Sequence, residues 1–171
     1  SIGGHSYSHS NLTLTGNIYS ITKTGATINV DRTNNTITVS PGGIVTGFKT
    51  KSISTIKTEL EVLGATVGSL PSGLSGNTLG EVMTDSGGAQ VSPYTPQLLI
   101  DTSAATGYYK TEITDVKTYL EANLIGYIGK SFGTPGGNTS ANVESAVKNS
   151  GWLSQKNGFS SNYNWLLSNI D

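Results

Sequence analysis

Between residues 27 and 40 the chain alternates apolar and polar side chains with a period of two. Ile28 and Val30 alternate with Thr27, Asn29 and Asp31. After Arg32-Thr33-Asn34-Asn35, Ile37 and Val39 alternate with Thr36, Thr38 and Ser40. Period two is the mark of a half-buried strand, so this stretch predicts a β-hairpin with a short polar loop. Pro41-Gly42-Gly43 ends the pattern, and residues 44–50 are predicted to form a further strand. Upstream, Leu12, Leu14 and Ile18 share one parity, with Thr13, Thr15 and Asn17 on the other. Residues 11–50 therefore read as a Thr-rich antiparallel β region, with Gly16 marking a bulge or a turn.

After residue 50 the period lengthens. Ile53, Ile56, Leu60 and Leu63 recur at helical spacing, with Ser52 placed to cap the helix and Gly64 to stop it. Further along, Ile113, Val116, Leu120 and Leu124 repeat the stripe, with Thr111 as the expected cap and Gly126 as the stop. The two stretches match in detail. Ile56-Lys57-Thr58-Glu59-Leu60-Glu61 lies over Val116-Lys117-Thr118-Tyr119-Leu120-Glu121, and each is followed by a Gly-rich stretch and a Gly-Asn-Thr triplet, at 76–78 and 137–139. Each copy then closes on Ser-Gly, at 86–87 and 150–151. This reads as an internal duplication with repeats at about 51–88 and 111–151. Lys57 and Glu61, like Lys117 and Glu121, are four apart and are expected to pair on one helix face.

The expected fold class is thus α+β: the β region, then a duplicated helix and Gly-rich-loop region over 51–171. The two are expected to share one compact body, preceded by a polar leader or arm at 1–10. The Gly- and Ser-rich segment 68–92 is long for a loop and is expected to be a contact arm that orders on assembly. Residues 93–103 are expected to return to a strand through Leu98-Leu99-Ile100.

Composition narrows the function classes. Only 12% of the 171 residues are charged, and 10 Lys and Arg against 11 Asp and Glu leave a net charge of −1. In their place stand 22 Gly, 22 Ser, 23 Thr and 14 Asn. Scattered, balanced charge gives no footprint for nucleic acid, and no apolar run is long enough to span a membrane. A net charge near zero removes the mutual repulsion that opposes self-association. With no cysteine, disulfides and thiol chemistry are excluded. This usage is typical of proteins that work outside cells or in a virion shell. A chain that opens at Ser1 is expected to have lost an initiator Met or a secretion signal.

Candidate chemistry is sparse. His5 and His9 are the sole histidines. Four apart, they share a face on a helix or on a strand, but zinc takes three or four ligands. A metal site there needs completion by other subunits. His5-Ser6-Tyr7-Ser8-His9 is loosely similar to the His-rich strand motifs of trimeric phage fibres. Gly3-Gly4-His5-Ser6-Tyr7 resembles the GGHSY stretch of berberine-bridge-type flavin oxidases, whose histidine bonds covalently to flavin. That match spans five residues. Ser1-Ile2 replace the arginine and serine that precede the motif there, and no cofactor is assigned. Neither a nucleophile elbow nor a paired carboxylate stands out. Residues 134–140, TPGGNTS, form a Gly-rich entry to a capped helix, a possible anion-binding start that lacks the lysine of a phosphate loop.

Trp152, Tyr163 and Trp165, together with Tyr108 and Tyr109, are the candidate carbohydrate or interface residues, because aromatic faces beside Asn and Gln suit sugars; the alternative for them is core and subunit packing. Residues from Ser161, with Trp165, Leu166 and Ile170, are expected to form a short terminal helix. The function expected from all this is a non-enzymatic structural subunit of an extracellular or virion assembly. It would act as a homo-oligomer and through contacts with other structural subunits. The alternative is a carbohydrate-binding adhesin or receptor-binding domain.

Overall fold

The structure, a computed structural model, describes residues 4–156. The expected terminal helix, with Tyr163 and Trp165, lies outside the described residues. In chain order the strands are β1 (Gly4–His5), β2 (Ile21–Thr22), β3 (Thr27–Asp31), β4 (Thr36–Ser40), β5 (Gly43–Thr46), β6 (Thr66–Val67), β7 (Gln90–Val91), β8 (Ser131–Gly133) and β9 (Ser154–Lys156). The helices are α1 (Ile53–Val62), α2 (Gly107–Tyr109), α3 (Asp115–Asn123) and α4 (Ala141–Asn149). The chain is a mixed α+β protein.

It divides into two compact units. One holds the chain up to Leu14 together with the chain from Ile100 on; the other holds Thr15–Leu99. These boundaries differ from the expected ones near residues 10 and 50. The N-terminal segment pairs with strands far along the chain, and the first expected repeat joins the hairpin.

In the Thr15–Leu99 unit the hairpin forms as predicted. β3 and β4 pair antiparallel from Thr27↔Ser40 to Asp31↔Thr36, around the loop Arg32–Asn35. Ile28, Val30, Ile37 and Val39 are all buried, because in each strand they point to one face. β5 and β7 flank the pair in the order β5-β4-β3-β7. The third strand is shorter than predicted and stops at Thr46; Gly47 turns it, at φ 68°, into a 3-10 turn at Phe48–Thr50. α1 starts and ends as expected. The Ser52 hydroxyl accepts from the Thr55 N–H at 3.1 Å, Gly64 follows the helix with φ 79°, and Ile53, Ile56 and Leu60 are buried.

Two expectations over residues 11–92 are corrected. Residues 11–18 form no strand: they run through a turn and an isolated bridge from Asn17 to Gln97. Leu12 and Ile18 are buried nonetheless. Segment 68–92 is no contact arm. Leu74, Thr78, Val82 and Met83 are buried, and Gln90–Val91 joins the sheet as β7. Backbone bonds from Ile53 and Ser54 to the carbonyls of Thr78 and Gly76 hold it. Its many polar residues satisfy their own turns, so a long Gly-rich stretch packs without regular structure. Residues 93–100 return through isolated bridges, including Met83↔Leu98, and not through a ladder.

The other unit carries a sheet of a different kind. β1 pairs with β8, and β8 with β9, all parallel. β8, α4 and β9 form a strand–helix–strand crossover, the connection that parallel neighbours require. α4 is capped by Ser140, whose hydroxyl accepts from Val143 N–H at 3.4 Å. The second predicted helix starts earlier than expected. α2 begins at Gly107 and passes through a π-helical turn at Lys110–Thr114 into α3. Thr111 is therefore inside the helix, buried, with its hydroxyl on the Tyr108 carbonyl. Of the predicted stripe, Ile113 is buried and Leu124 is exposed. Both expected Lys–Glu pairs form, Lys57 with Glu61 and Lys117 with Glu121.

Candidate functional site

The segment 4–10 is not a free arm. β1 lies in register beside β8, with Gly4↔Phe132 and His5↔Gly133. Gly4, Ser6 and Ser10 are buried while His5, Tyr7 and His9 are exposed. The backbone N–H of Ser8 donates to one carboxylate oxygen of Glu112 at 2.9 Å, and the Ser8 hydroxyl donates to the other at 2.6 Å. Glu112 is fully buried in the π-helical turn. A π turn places one residue more than an α turn would and so rotates a side chain off the regular helical face, a device frequent at functional sites.

This anchor fixes the two histidines on either side of it. Their rings stack with centroids 4.8 Å apart and planes 20° from parallel. His9 adopts φ 63°, a left-handed conformation that costs energy in a non-glycine residue. Although the residue as a whole is exposed, partial burial of its ring holds the His5 imidazole below its ordinary value, the neighbouring His9 lowers it further, and a hydrogen bond with the Ser6 backbone raises it in part. Two imidazoles are an incomplete ligand set for zinc, so the expected metal site would still need ligands from other subunits. Among the described residues no group of three metal-ligating side chains forms.

The histidines border a cleft of about 490 Å³ whose other walls are Gly133, Thr134, Gly136, Gly137 and Lys156. Among the described residues no carboxylate lines it. The cleft sits at the carboxyl ends of β1, β8 and β9, where the register places His5, Gly133 and Lys156 on one rung. The preceding rung, Gly4, Phe132 and Gln155, is buried. Alternation along a strand turns the two rungs to opposite faces. Of the residues that build this site, the sequence reading named the histidines and the Gly-rich loop. It missed Lys156, Gly133, Ser8 and Glu112, because β8 and β9 are three residues each and show no usable period.

The aromatic candidates are placed otherwise than a sugar site needs. Tyr108 and Tyr109 are buried, with hydroxyls donating to the carbonyls of Asn11 at 2.9 Å and Leu12 at 3.3 Å. Burial raises both phenols. Trp152 is buried against Phe132, ring centroids 5.5 Å apart, and its indole N–H donates to the Ile113 carbonyl. Rings enclosed in this way offer no face to a glycan or a partner, so these three are corrected to packing residues. Among the described residues the exposed aromatics are Tyr7 and Tyr119, which with Asp115, Val116 and Leu120 line a separate groove.

In the Thr15–Leu99 unit, β5 is an edge strand, paired among the described residues with β4 alone. Beside it runs a groove of about 340 Å³, walled by Ile44 and Thr46 on the strand and by Thr58, Glu59, Val62 and Leu63 along α1. Ile44 is 57% exposed and Val62 81%. Lys51 and Glu59 form an ion pair at 2.7 Å in the groove. Compared with known proteins, the chain matches no family model, no curated protein and no solved structure. Among the described residues no helix is long and apolar enough to cross a membrane.

Proposed function

We propose that the protein is a non-enzymatic structural subunit of an extracellular or virion assembly, and that it works by self-association. The observation that carries this reading is the edge of β5, which among the described residues pairs with β4 alone. Edge strands are normally blunted by charge, proline or a bulge. β5 reads Gly-Ile-Val-Thr, with no charge on it. An incoming strand would gain main-chain hydrogen bonds from the edge and a side-chain pocket from the groove along α1.

The occupant proposed is a second copy, edge to edge. The same patch supplies an apolar knob, Ile44, and an apolar recess lined by Val62 and Leu63, so it is self-complementary, as a two-fold interface must be. A net charge of −1 opposes such pairing very little. The low share of charged residues supports the setting outside cells or in a virion shell. Light scattering across a wide concentration range tests the reading. Mass should rise with concentration, and Ile44→Lys should hold the protein at monomer mass. A monomer at every concentration would overturn it.

The alternative of glycan binding has one observation in its favour, the exposed Tyr7 and Tyr119 about a groove that also holds Asp115. Glycan-array binding by a protein that stays monomeric would select that reading.

A further inference from the structure

We propose that the self-association read above takes one register: the β5 strands of two copies run antiparallel about a two-fold axis between their Val45 residues, with Ile44 opposite Thr46 of the partner subunit. The proposal rests on that reading and adds which main-chain groups meet. The argument begins with the direction of the β5 backbone. Gly47 N–H donates to the Asn35 carbonyl at 2.8 Å, one step beyond the paired Thr46 and Thr36. In an antiparallel ladder every second residue bonds across to its partner, so Val45 bonds to Ile37 and Gly43 to Val39. The other side of the sheet agrees. Val30, the register partner of Ile37, turns its carbonyl away from β4 to accept from the Ser86 N–H at 2.9 Å, which leaves Ile37 to bond toward β5. The N–H and C=O groups of Ile44 and Thr46 therefore point out from the sheet, and among the described residues they have no main-chain partner.

Two outward residues with one inward residue between them are their own complement under a two-fold rotation. Each partly positive N–H then meets a partly negative carbonyl. With Ile44 opposite Thr46 of the partner subunit, all the outward groups of both strands pair. Centring the pairing on Ile44 or on Thr46 pairs half as many, because the next outward positions, Gly42 and Phe48, lie in turns outside β5. The side chains select the same register. Val30, Ile37 and Val45 are partners across β3, β4 and β5, and all are buried, so an apolar row runs up to the edge. The proposed register sets Val45 against Val45 of the partner subunit as a non-hydrogen-bonded pair, where side chains approach most closely. The row then continues through its own image. The other two registers set Val45 against Gly43 or Gly47 of the partner subunit. Charge does not oppose the approach, since Lys51 and Glu59 in the groove are paired with each other at 2.7 Å. The product is one continuous sheet in the order β7-β3-β4-β5-β5-β4-β3-β7.

The chain has no cysteine, so cross-linking reads the register directly. Full-length Ile44→Cys and Thr46→Cys are oxidised separately and as a mixture. Opposed residues have Cα atoms about 5.5 Å apart, within disulfide reach, whereas two copies of the same residue sit diagonally, about 7–8 Å apart and beyond it. The mixture should give disulfide-linked dimer in clear excess over either variant alone. Linked dimer from Ile44→Cys alone, or from Thr46→Cys alone, in equal yield would overturn the register. The unsubstituted protein supplies a second reading. Amide exchange of Ile44 and Thr46 should slow by about tenfold once about nine-tenths of the chains are paired, since only unpaired chains exchange there. Val45, bonded to β4, should exchange slowly at every concentration. Light scattering on the same samples separates the two failures. Mass that rises while Ile44 and Thr46 exchange as before overturns this register and leaves self-association standing. Mass that stays at the monomer value overturns both.

Discussion

Ser8 and Glu112, far apart in the chain, are joined by two hydrogen bonds: N–H to one carboxylate oxygen at 2.9 Å and hydroxyl to the other at 2.6 Å. The pair converts what reads as a polar leader into part of a folded unit. Glu112→Ala removes the acceptor from both Ser8 donors and leaves a void in a fully buried position. The expected loss is about 2–4 kcal/mol, read from urea denaturation of the full chain. Ser8→Ala should cost less, about 1 kcal/mol, because the backbone bond survives. Equal, small losses in both would show that the carboxylate is not an anchor.

Gly4 faces the Trp152 indole so closely that a Cβ would collide with the ring. Trp152 is also pressed by Gly129 and Phe132, so the ring has little room to give. Gly4→Ala should therefore destabilise by about 1–3 kcal/mol and alter the near-ultraviolet dichroism. An unchanged melting temperature would mean that the indole is not held there.

A similar close approach occurs in the Thr15–Leu99 unit. A Cβ on Gly80 would strike the Phe48 carbonyl and the end of Ile56. Backbone cannot step aside as a flexible side chain can, so Gly80→Ala should cost about 1–3 kcal/mol. Gly87, with open space around its Cβ position but φ 68°, offers a contrast: its replacement by Asn, which tolerates that conformation, should be nearly neutral. Thermal unfolding of the two variants side by side decides the point.

His5 predicts a pH effect. Partial burial of the ring and the neighbouring His9 hold its imidazole below the ordinary 6.5, so the unfolded chain takes up this proton more readily than the folded one. Stability should then be unaffected by His5 above the unfolded value. It should fall as pH drops through 6.5 and level off below the folded value. His5→Asn should remove that step. An NMR titration that places the His5 midpoint at or above 6.5 would contradict the arrangement of the two rings.

The alternation of Ile28, Val30, Ile37 and Val39 was enough to place the hairpin to the residue, because a period of two leaves one face to bury. The Ile53, Ile56 and Leu60 stripe, with Ser52 and Gly64 at its ends, did the same for α1. The α+β class followed from those local periods.

Tertiary structure decided the rest. Strands of two or three residues, such as β1, β8 and β9, carry no period, so only long-range pairing shows them, and with them the parallel sheet and the rung of His5, Gly133 and Lys156. Likewise Trp152, Tyr108 and Tyr109 look in sequence like surface aromatics beside polar neighbours. Whether a ring faces solvent or core depends on what the fold brings against it, and here it brings Gly4, Phe132 and the turn at Asn11. Local pattern determines which segments have a face to bury; only the assembled chain determines what that face meets.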